Sequence, residues 1–213
     1  MSMGLQEARS APDHAPFKKG APACDDAERL AAVHMLGSLL VPPLQTVCNE
    51  AHEYFCLQGV AINLVDAEEV RQQVWAGRSR PMKVACTESP CDAVVRSNEL
   101  DNGVHVIEDI ACDDGCRSHP IRTGFYAGVA ITYSVGGGAA QRVGTLCVYD
   151  SKPQESFCEE DRKKLQEFGA RVSSLLSSPL GLHPVRSQGE EHRLHSVGER
   201  VEALMVRQHP PTP

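Results

Sequence analysis

The chain of 213 residues is long enough for one domain with tails or for two very small domains. Hydrophobic residues make up 41% of it and aromatic residues only 5%, which predicts a mainly aliphatic core. The formal net charge of −7 argues against a nucleic acid or an anionic membrane as partner. We expect a cytoplasmic protein, because the sequence has neither a secretory signal nor the run of roughly 18 apolar residues that a membrane-spanning helix needs.

Nine cysteines, a large and odd number for a reducing compartment, are the most unusual compositional feature. In such a compartment a cysteine is more often a buried small apolar residue, a metal ligand or a reactive thiol than half of a disulfide. Cys48 and Cys56 lie in a helical apolar pattern, and Cys147 lies in a strand-like run. We expect these three to fill the core, because free cysteine is among the most buried residue types.

The N-terminal part of the chain predicts a flexible lead followed by two helices. Residues 1–24 combine three prolines with small and polar residues and show no periodicity, which is typical of disorder. An aspartate pair at 25–26 is an N-cap signal for a helix that should end at the proline pair 42–43. A second helical apolar pattern occupies residues 44–55, and Gly59 is its expected stop.

The rest of the chain predicts mainly strands, with one long helix at the end. In order these are strands at 60–66 and 70–77, a short helix at 91–97, a strand at 104–107, a loop with one helical turn at 108–123, two strands within 124–150 and a helix at 159–177. A glycine triplet at 136–138 separates the last two strands. This order predicts an α+β fold in which helices pack on a central antiparallel sheet of five to six strands.

Two segments of the last strand pair resemble the sequence signature of GAF domains, a family of small-molecule sensor modules. They read Phe-Tyr-Ala-Gly at 125–128 and Val-Gly-Thr-Leu-Cys-Val-Tyr-Asp at 143–150. The resemblance extends over residues 25–177, which we expect to be one GAF domain between the disordered segment and a polar tail at 178–213 with a short helix at 189–207. It implies N- and C-terminal helices on one sheet face and a loop-rich segment over the other.

In this family the ligand lies between one sheet face and the central loop-and-helix segment, so the resemblance implies a pocket there. Its expected ligand-binding residues are Cys91, Val94, Ile107, Asp109, Cys112, His119, Tyr126, Thr145 and Cys147. Pro90 and Ala93 stand where a common subfamily has an aromatic residue and a histidine, so the Cys-His environment of a bilin-binding phytochrome is missing. No cyclic-nucleotide motif is present either. The sequence requires no cofactor and leaves the ligand unknown.

A catalytic alternative is a resemblance to one GAF branch, the free methionine-(R)-sulfoxide reductases. Fragments around Cys86, Cys91 and Cys112 are similar to its two cysteine loops, and Cys116 is the fourth candidate thiol. The chemistry would be attack of a thiolate on the sulfoxide sulfur, formation of a sulfenic acid and resolution by a second cysteine. The match is incomplete, because Cys147 stands where that branch has an aspartate.

The central cysteines also raise the question of a metal. Cys86, Cys91, Cys112 and Cys116 with His119 could supply four tetrahedral zinc ligands, but their spacing lacks a C-x-x-C pair. A cysteine-containing exposed loop is the favoured interpretation, and no metal site is predicted. The aspartates at 109, 113 and 114 could hold a ligand amine or a cation, although solvated side chains are the commoner outcome.

The sequence therefore predicts a stand-alone sensory GAF protein rather than an enzyme. We expect it to bind a small molecule or to respond to redox conditions. It should act in signal transduction through partners or through a homodimer formed by its terminal helices. The reductase is the first alternative, and a non-catalytic dimerisation scaffold is the second.

Overall fold

A six-stranded antiparallel sheet forms the centre of the computed structural model, which describes residues 26–37, 42–78, 83–97, 103–113, 124–134 and 138–178. The strands are β1 (Gly59–Val65), β2 (Glu69–Gly77), β3 (Lys83–Ala85), β4 (Val104–Ile107), β5 (Phe125–Tyr133) and β6 (Gln141–Asp150). The helices are α1 (Asp26–Leu36), α2 (Pro42–Phe55), α3 (Pro90–Arg96) and α4 (Glu159–Ser177), with 3-10 turns at Cys86–Glu88 and Ile110–Cys112. The segment 1–24, the tail helix at 189–207, Cys116 and His119 lie outside the described residues.

The strands are ordered β3-β2-β1-β6-β5-β4, and every neighbouring pair is antiparallel. Helices α1, α2 and α4 pack on one face of this sheet, while α3 packs on the other. The predicted α+β fold, with an antiparallel sheet and its terminal helices on one face, is therefore confirmed.

Period-two alternation divides the central strands between two apolar layers. On β1, Val60, Ile62 and Leu64 face α1, α2 and α4, and we call the buried cluster on this side the helix-side core. The opposite face belongs to the cavity-side cluster, which consists of Ala61, Val65, Val70, Cys86, Cys91, Val94, Val95, Ile107, Ile110, Tyr126 and Cys147. All seven residues of β1 are buried, because both of its faces are covered.

Helix α4 covers the sheet with a stripe of apolar side chains. Leu165, Phe168, Val172 and Leu176 recur at intervals of three and four residues, which places them on one side of the helix. All four are buried in the helix-side core. The helix begins at Glu159, as the sequence predicts, although the Cys158 thiol makes no capping hydrogen bond to a backbone N–H.

Two predicted helix ends are wrong, and one strand is missed. Helix α1 ends at Leu36, and the Pro42 pair opens α2 instead of ending α1, since proline fits the first helical turn, where an N–H has no partner in any case. Helix α2 ends at Phe55, whereas Gly59 starts β1. Cys56 follows the helix in the left-handed conformation with φ 52° and is exposed, so its predicted place in the core is wrong. Strand β3 has only three residues, too few to show a periodicity.

Candidate functional site

A cavity of about 330 Å³ lies on the face of the sheet that carries α3. The residues that line it come from β1, β2, β3, β5 and β6, from the start of α3 and from the 3-10 turn at Ile110. Its apolar lining residues are Ala61, Val70, Val84, Pro90, Ile110 and Phe125. Its remaining lining residues are Gln58, Asn63, Gln72, Arg78, Ser89, Cys91, Tyr126, Cys147, Tyr149, Asp150 and Ser151.

Cys91 reaches the cavity because a Ser-Pro pair starts α3 directly before it. Ser89 is the N-cap, and its hydroxyl oxygen accepts a hydrogen bond from the Cys91 backbone N–H at 3.3 Å. Pro90 occupies the first helical position, where its fixed φ favours the helix. This start places Cys91 between α3 and the sheet, where it is 4% exposed.

Cys147 and Asn63 approach Cys91 from the sheet. Strands β1 and β6 pair with Ala61 opposite Cys147 and Asn63 opposite Thr145, so all four side chains share one face. The Asn63 amide nitrogen lies 3.2 Å from Cys147 Sγ and 3.4 Å from Cys91 Sγ. It also lies 3.5 Å from the Thr145 hydroxyl, so its two N–H hydrogens serve three acceptors. One buried amide thereby joins both thiols.

Tyr126 on β5 completes this group. Its hydroxyl donates a hydrogen bond to Cys91 Sγ at 3.4 Å. The tyrosine side chain runs across Gly128, and a Cβ added to that glycine would overlap the tyrosine hydroxyl oxygen. Gly128 therefore leaves the space that the Tyr126 side chain needs in order to reach the thiol.

The pKa values of the Cys91 and Cys147 thiols are shifted in opposite directions. Hydrogen bonding from Cys147 lowers the pKa of Cys91, and the side chains of Thr145, Tyr126 and Ser89 act in the same direction against the effect of burial. The same contact with Cys91, together with burial, raises the pKa of Cys147. The contact between the two thiols therefore favours ionisation of Cys91 and disfavours ionisation of Cys147.

The other thiols with a displaced pKa are displaced upward. Burial raises the pKa of Cys86 to about 12, and the neighbouring Asp109 carboxylate raises the pKa of the exposed Cys112. Cys48 lies in the helix-side core, where burial raises its pKa to about 12 and its thiol donates to the Val60 carbonyl. Within the described part of the chain, a lowered thiol pKa is found at Cys91.

The structure brings some of the sequence-predicted site residues together and separates others. Cys91, Tyr126 and Cys147 line the cavity, and Thr145 lies under them as a partner of Asn63. Val94 and Ile107 are buried in the cavity-side cluster without lining the cavity. Asp109 instead caps a 3-10 turn by accepting from the Ala111 and Gly124 N–H groups, and Cys112 is exposed beside it. His119 lies outside the described residues.

Sequence reasoning missed Asn63 as a site residue. The sequence does contain an indication of it, because Asn63 is a polar residue within the otherwise apolar strand β1. A polar side chain that is buried in such a strand needs a hydrogen-bonding partner. Among the described residues no group of three or more His, Cys, Asp or Glu side chains is placed to hold a metal ion. None of the helices in the described ranges is both long and apolar enough to cross a membrane.

The sheet order, the helices on one face and the cavity under the other define an α+β domain with a cavity on one side of its sheet. A family model for the GAF domain matches residues 40–176, and the chain belongs to the GAF domain family. The resemblance to this family in the sequence is thereby confirmed. No curated protein matches the chain.

Several solved structures are similar to the chain. The GAF domain from Acinetobacter phosphoenolpyruvate-protein phosphotransferase is 16% identical with a TM-score of 0.50, over 83% of this chain and 99% of that one. The free methionine-R-sulfoxide reductase from Neisseria meningitidis in complex with its substrate is 18% identical with a TM-score of 0.48, over 76% and 94%. A far-red cyanobacteriochrome photoreceptor is 11% identical with a TM-score of 0.49, over 62% and 82%. At these identities the likeness concerns the fold alone.

Proposed function

We propose that this protein is a sensory GAF module that binds a small molecule in the cavity between the sheet and α3. The observation that carries the proposal is the cavity itself, whose volume of about 330 Å³ lies in the usual range of ligand sites. Apolar walls surround a few convergent polar groups at Asn63 and Tyr126, which is the composition typical of such sites. Signal output would pass through partner proteins or through dimer geometry.

The lining residues favour a ligand with an apolar body and one polar or anionic end. Among the described lining residues Arg78 is the single cation and Asp150 the single anion. Both carboxylate oxygens of Asp150 are engaged, because they accept from the backbone N–H groups of Gln58 and Lys152 at 3.3 and 3.0 Å. Arg78 is therefore the charged group better placed to meet a ligand, and we expect it to favour an anionic end.

A cavity-filling variant tests the proposal. Ala61 lines the cavity and is 3% exposed, so Ala61→Phe places a ring in the ligand's space. We expect thermal shifts with members of a panel of small aromatic and aliphatic carboxylic acids for the unmodified protein, and loss of those shifts for Ala61→Phe. Ala67→Phe, in the exposed turn before β2, is the matched control that should keep them. If the variant and the control respond alike, the cavity is not the binding site.

The reductase remains a second candidate, and one specific observation bears on it. A thiol nucleophile needs a lowered pKa, which Cys91 has and which Cys86 and Cys112 lack. The test is oxidation of a thiol reductant that depends on methionine sulfoxide. A reductase would lose this activity in Cys86→Ser or Cys112→Ser, which the sequence resemblance alone identifies, or in Cys91→Ser, which the resemblance and the lowered pKa both identify.

A dimerisation scaffold is distinguished by the same thermal-shift panel, because it predicts no ligand response at all. The homodimer itself is a separate prediction. Sedimentation of the full chain should show a dimer if α1 and α4 associate with a second copy. Substituting the exposed Met35 of α1 by Lys should then shift the population toward monomer.

A further inference from the structure

The floor of the cavity holds two thiols in an arrangement that core packing does not require. Cys91 and Cys147 belong to a helix and a strand that are far apart in the sequence, yet the nitrogen of Asn63 lies within 3.4 Å of both sulfurs. Both side chains line the cavity, so a small molecule that enters it can touch them. A metal is not the natural occupant, because no third His, Cys, Asp or Glu joins them among the described residues.

We propose that Cys91 and Cys147 form a reversible disulfide when an organic hydroperoxide enters the cavity, and that this bond regulates ligand binding there. The regulation rests on the proposed function, whereas the formation of the disulfide does not. The site is therefore an oxidant-responsive dithiol built into the wall of a ligand cavity.

The first step is attack of the Cys91 thiolate on the terminal oxygen of the hydroperoxide. A sulfur–oxygen bond forms, the oxygen–oxygen bond breaks, and the leaving alkoxide takes up a proton to become an alcohol. Cys91 is thereby oxidised to a sulfenic acid, and the hydroperoxide is reduced by two electrons. The hydrogen bonds from Asn63 and Tyr126 favour the thiolate that this step needs.

The second step is attack of Cys147 on the sulfur of the Cys91 sulfenic acid. The new sulfur–sulfur bond replaces the sulfur–oxygen bond, and hydroxide leaves with the Cys147 proton as water. In total two thiols and one hydroperoxide give one disulfide, one alcohol and one water. Asn63 acts as a positioning residue in both steps, since its amide holds the two sulfurs without taking part in bond changes.

The walls of the cavity select the class of oxidant. Ala61, Val84 and Ile110 present apolar surface near the thiols, which favours an alkyl or aryl hydroperoxide over hydrogen peroxide. A peptide disulfide is a poor alternative, because its sulfur would have to reach side chains that are 4% and 3% exposed. Cross-linking draws α3 onto β6 and removes both sulfurs as acceptors for Asn63, so we expect the oxidised protein to bind its ligand more weakly.

The experiment treats the reduced full chain with cumene hydroperoxide or with hydrogen peroxide and maps the cysteine peptides by mass spectrometry. We expect a Cys91–Cys147 link that dithiothreitol reverses, formed at least about tenfold faster with cumene hydroperoxide. Cys147→Ser should accumulate a Cys91 sulfenic acid that dimedone traps, and Cys91→Ser should form neither product. Cys56→Ser and Cys158→Ser remove exposed thiols and should leave the reaction unchanged.

Three results would overturn the proposal: no Cys91–Cys147 link in the unmodified protein, a dimedone adduct on another cysteine in Cys147→Ser, or a faster reaction with hydrogen peroxide. Peptide mapping of the unmodified chain makes the test independent of how well the variants fold. Thermal shifts with the carboxylic acid panel, measured on reduced protein, decide the proposed function separately. If the panel binds equally to reduced and oxidised protein, the disulfide does not regulate the site and that part of the proposal fails.

Discussion

Asn63 and Cys147 lie diagonally across the β1–β6 pair, and the asparagine amide donates to the cysteine sulfur at 3.2 Å. Because both groups are more than nine-tenths buried, this contact, together with those to Cys91 and Thr145, satisfies the N–H groups of a polar side chain inside the domain. It also fixes where the thiol lies on the cavity floor. In the proposed oxidation the two thiols are therefore positioned by an amide that carries out no chemistry of its own.

Replacing this amide by a carboxylate should reverse its electrostatic effect. Asn63→Asp keeps the size of the side chain but places negative charge near Cys91, so the pKa of Cys91 should rise. We expect methylthiolation of Cys91 by methyl methanethiosulfonate near neutral pH, in which the thiolate displaces methanesulfinate and forms a mixed disulfide, to slow by about tenfold. Asn49→Asp, on the exposed side of α2, is the matched control and should react like the unmodified protein. An unchanged rate in Asn63→Asp would show that Asn63 does not influence the thiolate.

Gly128 should matter through the tyrosine that lies across it. Gly128→Ala puts a methyl group where the Tyr126 hydroxyl now lies, so the ring must move away from Cys91. We expect Gly128→Ala and Tyr126→Phe to slow Cys91 methylthiolation by a similar factor, about threefold, because both remove one hydrogen bond to the thiolate. Gly37→Ala, whose added carbon would have its nearest neighbour at 3.4 Å, and Tyr133→Phe are controls. If Cys91 of the Gly128→Ala variant is modified as fast as in the unmodified protein, the steric argument is wrong.

Cys48 should make the protein less stable in alkali. Burial raises the pKa of Cys48 from 9.0 to about 12, so the thiol favours the folded state fully below pH 9 and loses that effect as the pH rises toward 12. At about pH 10.5 the linked loss should be about 2 kcal/mol in the free energy of unfolding. Urea unfolding measures it: Cys48→Ala should show a smaller decrease between pH 8 and pH 10.5 than the unmodified protein. Cys158→Ala should show the full decrease.

Leu165 should be among the most sensitive positions of the helix-side core. Its side chain is fully buried on the α4 stripe, whereas Leu175 of the same helix is only partly buried. Leu165→Ala should lower the free energy of unfolding by about 3 kcal/mol, because it removes buried methyl groups and leaves a cavity. Leu175→Ala should cost about 1 kcal/mol. Equal losses in urea unfolding would contradict the packing described for α4.

Local periodicity was sufficient to predict most of the architecture. The apolar stripe of α4 and the nearly continuous apolar runs of β1, β5 and β6 follow from the sequence, because α4 buries one face and these strands bury two. The ends of helices are more difficult to predict from the sequence. The proline pair at 42–43, for example, could either end one helix or start the next. Strand β3 is not predictable from the sequence, because its three residues are too few to show a pattern and are extended through their pairing with β2.

The site was only partly predictable for a different reason. Cys91, Tyr126 and Cys147 could be named from the family resemblance, but their contact through Asn63 depends on the register between β1 and β6, strands separated by most of the domain. No local pattern specifies that register. The motif around Cys112 predicts a reactive thiol, but the structure places this thiol on the surface beside Asp109. Sequence motifs indicate which residues could react, whereas strand pairing decides which of them meet.

The division of the domain into a helix-side core and a cavity-side cluster has an evolutionary consequence. Since α1, α2 and α4 bury the larger apolar layer on one side of the sheet, folding depends chiefly on residues that, apart from Phe125, do not line the cavity. Descendants of such a domain can exchange side chains on the opposite side, and so acquire a new chemical specificity, while they inherit an intact scaffold.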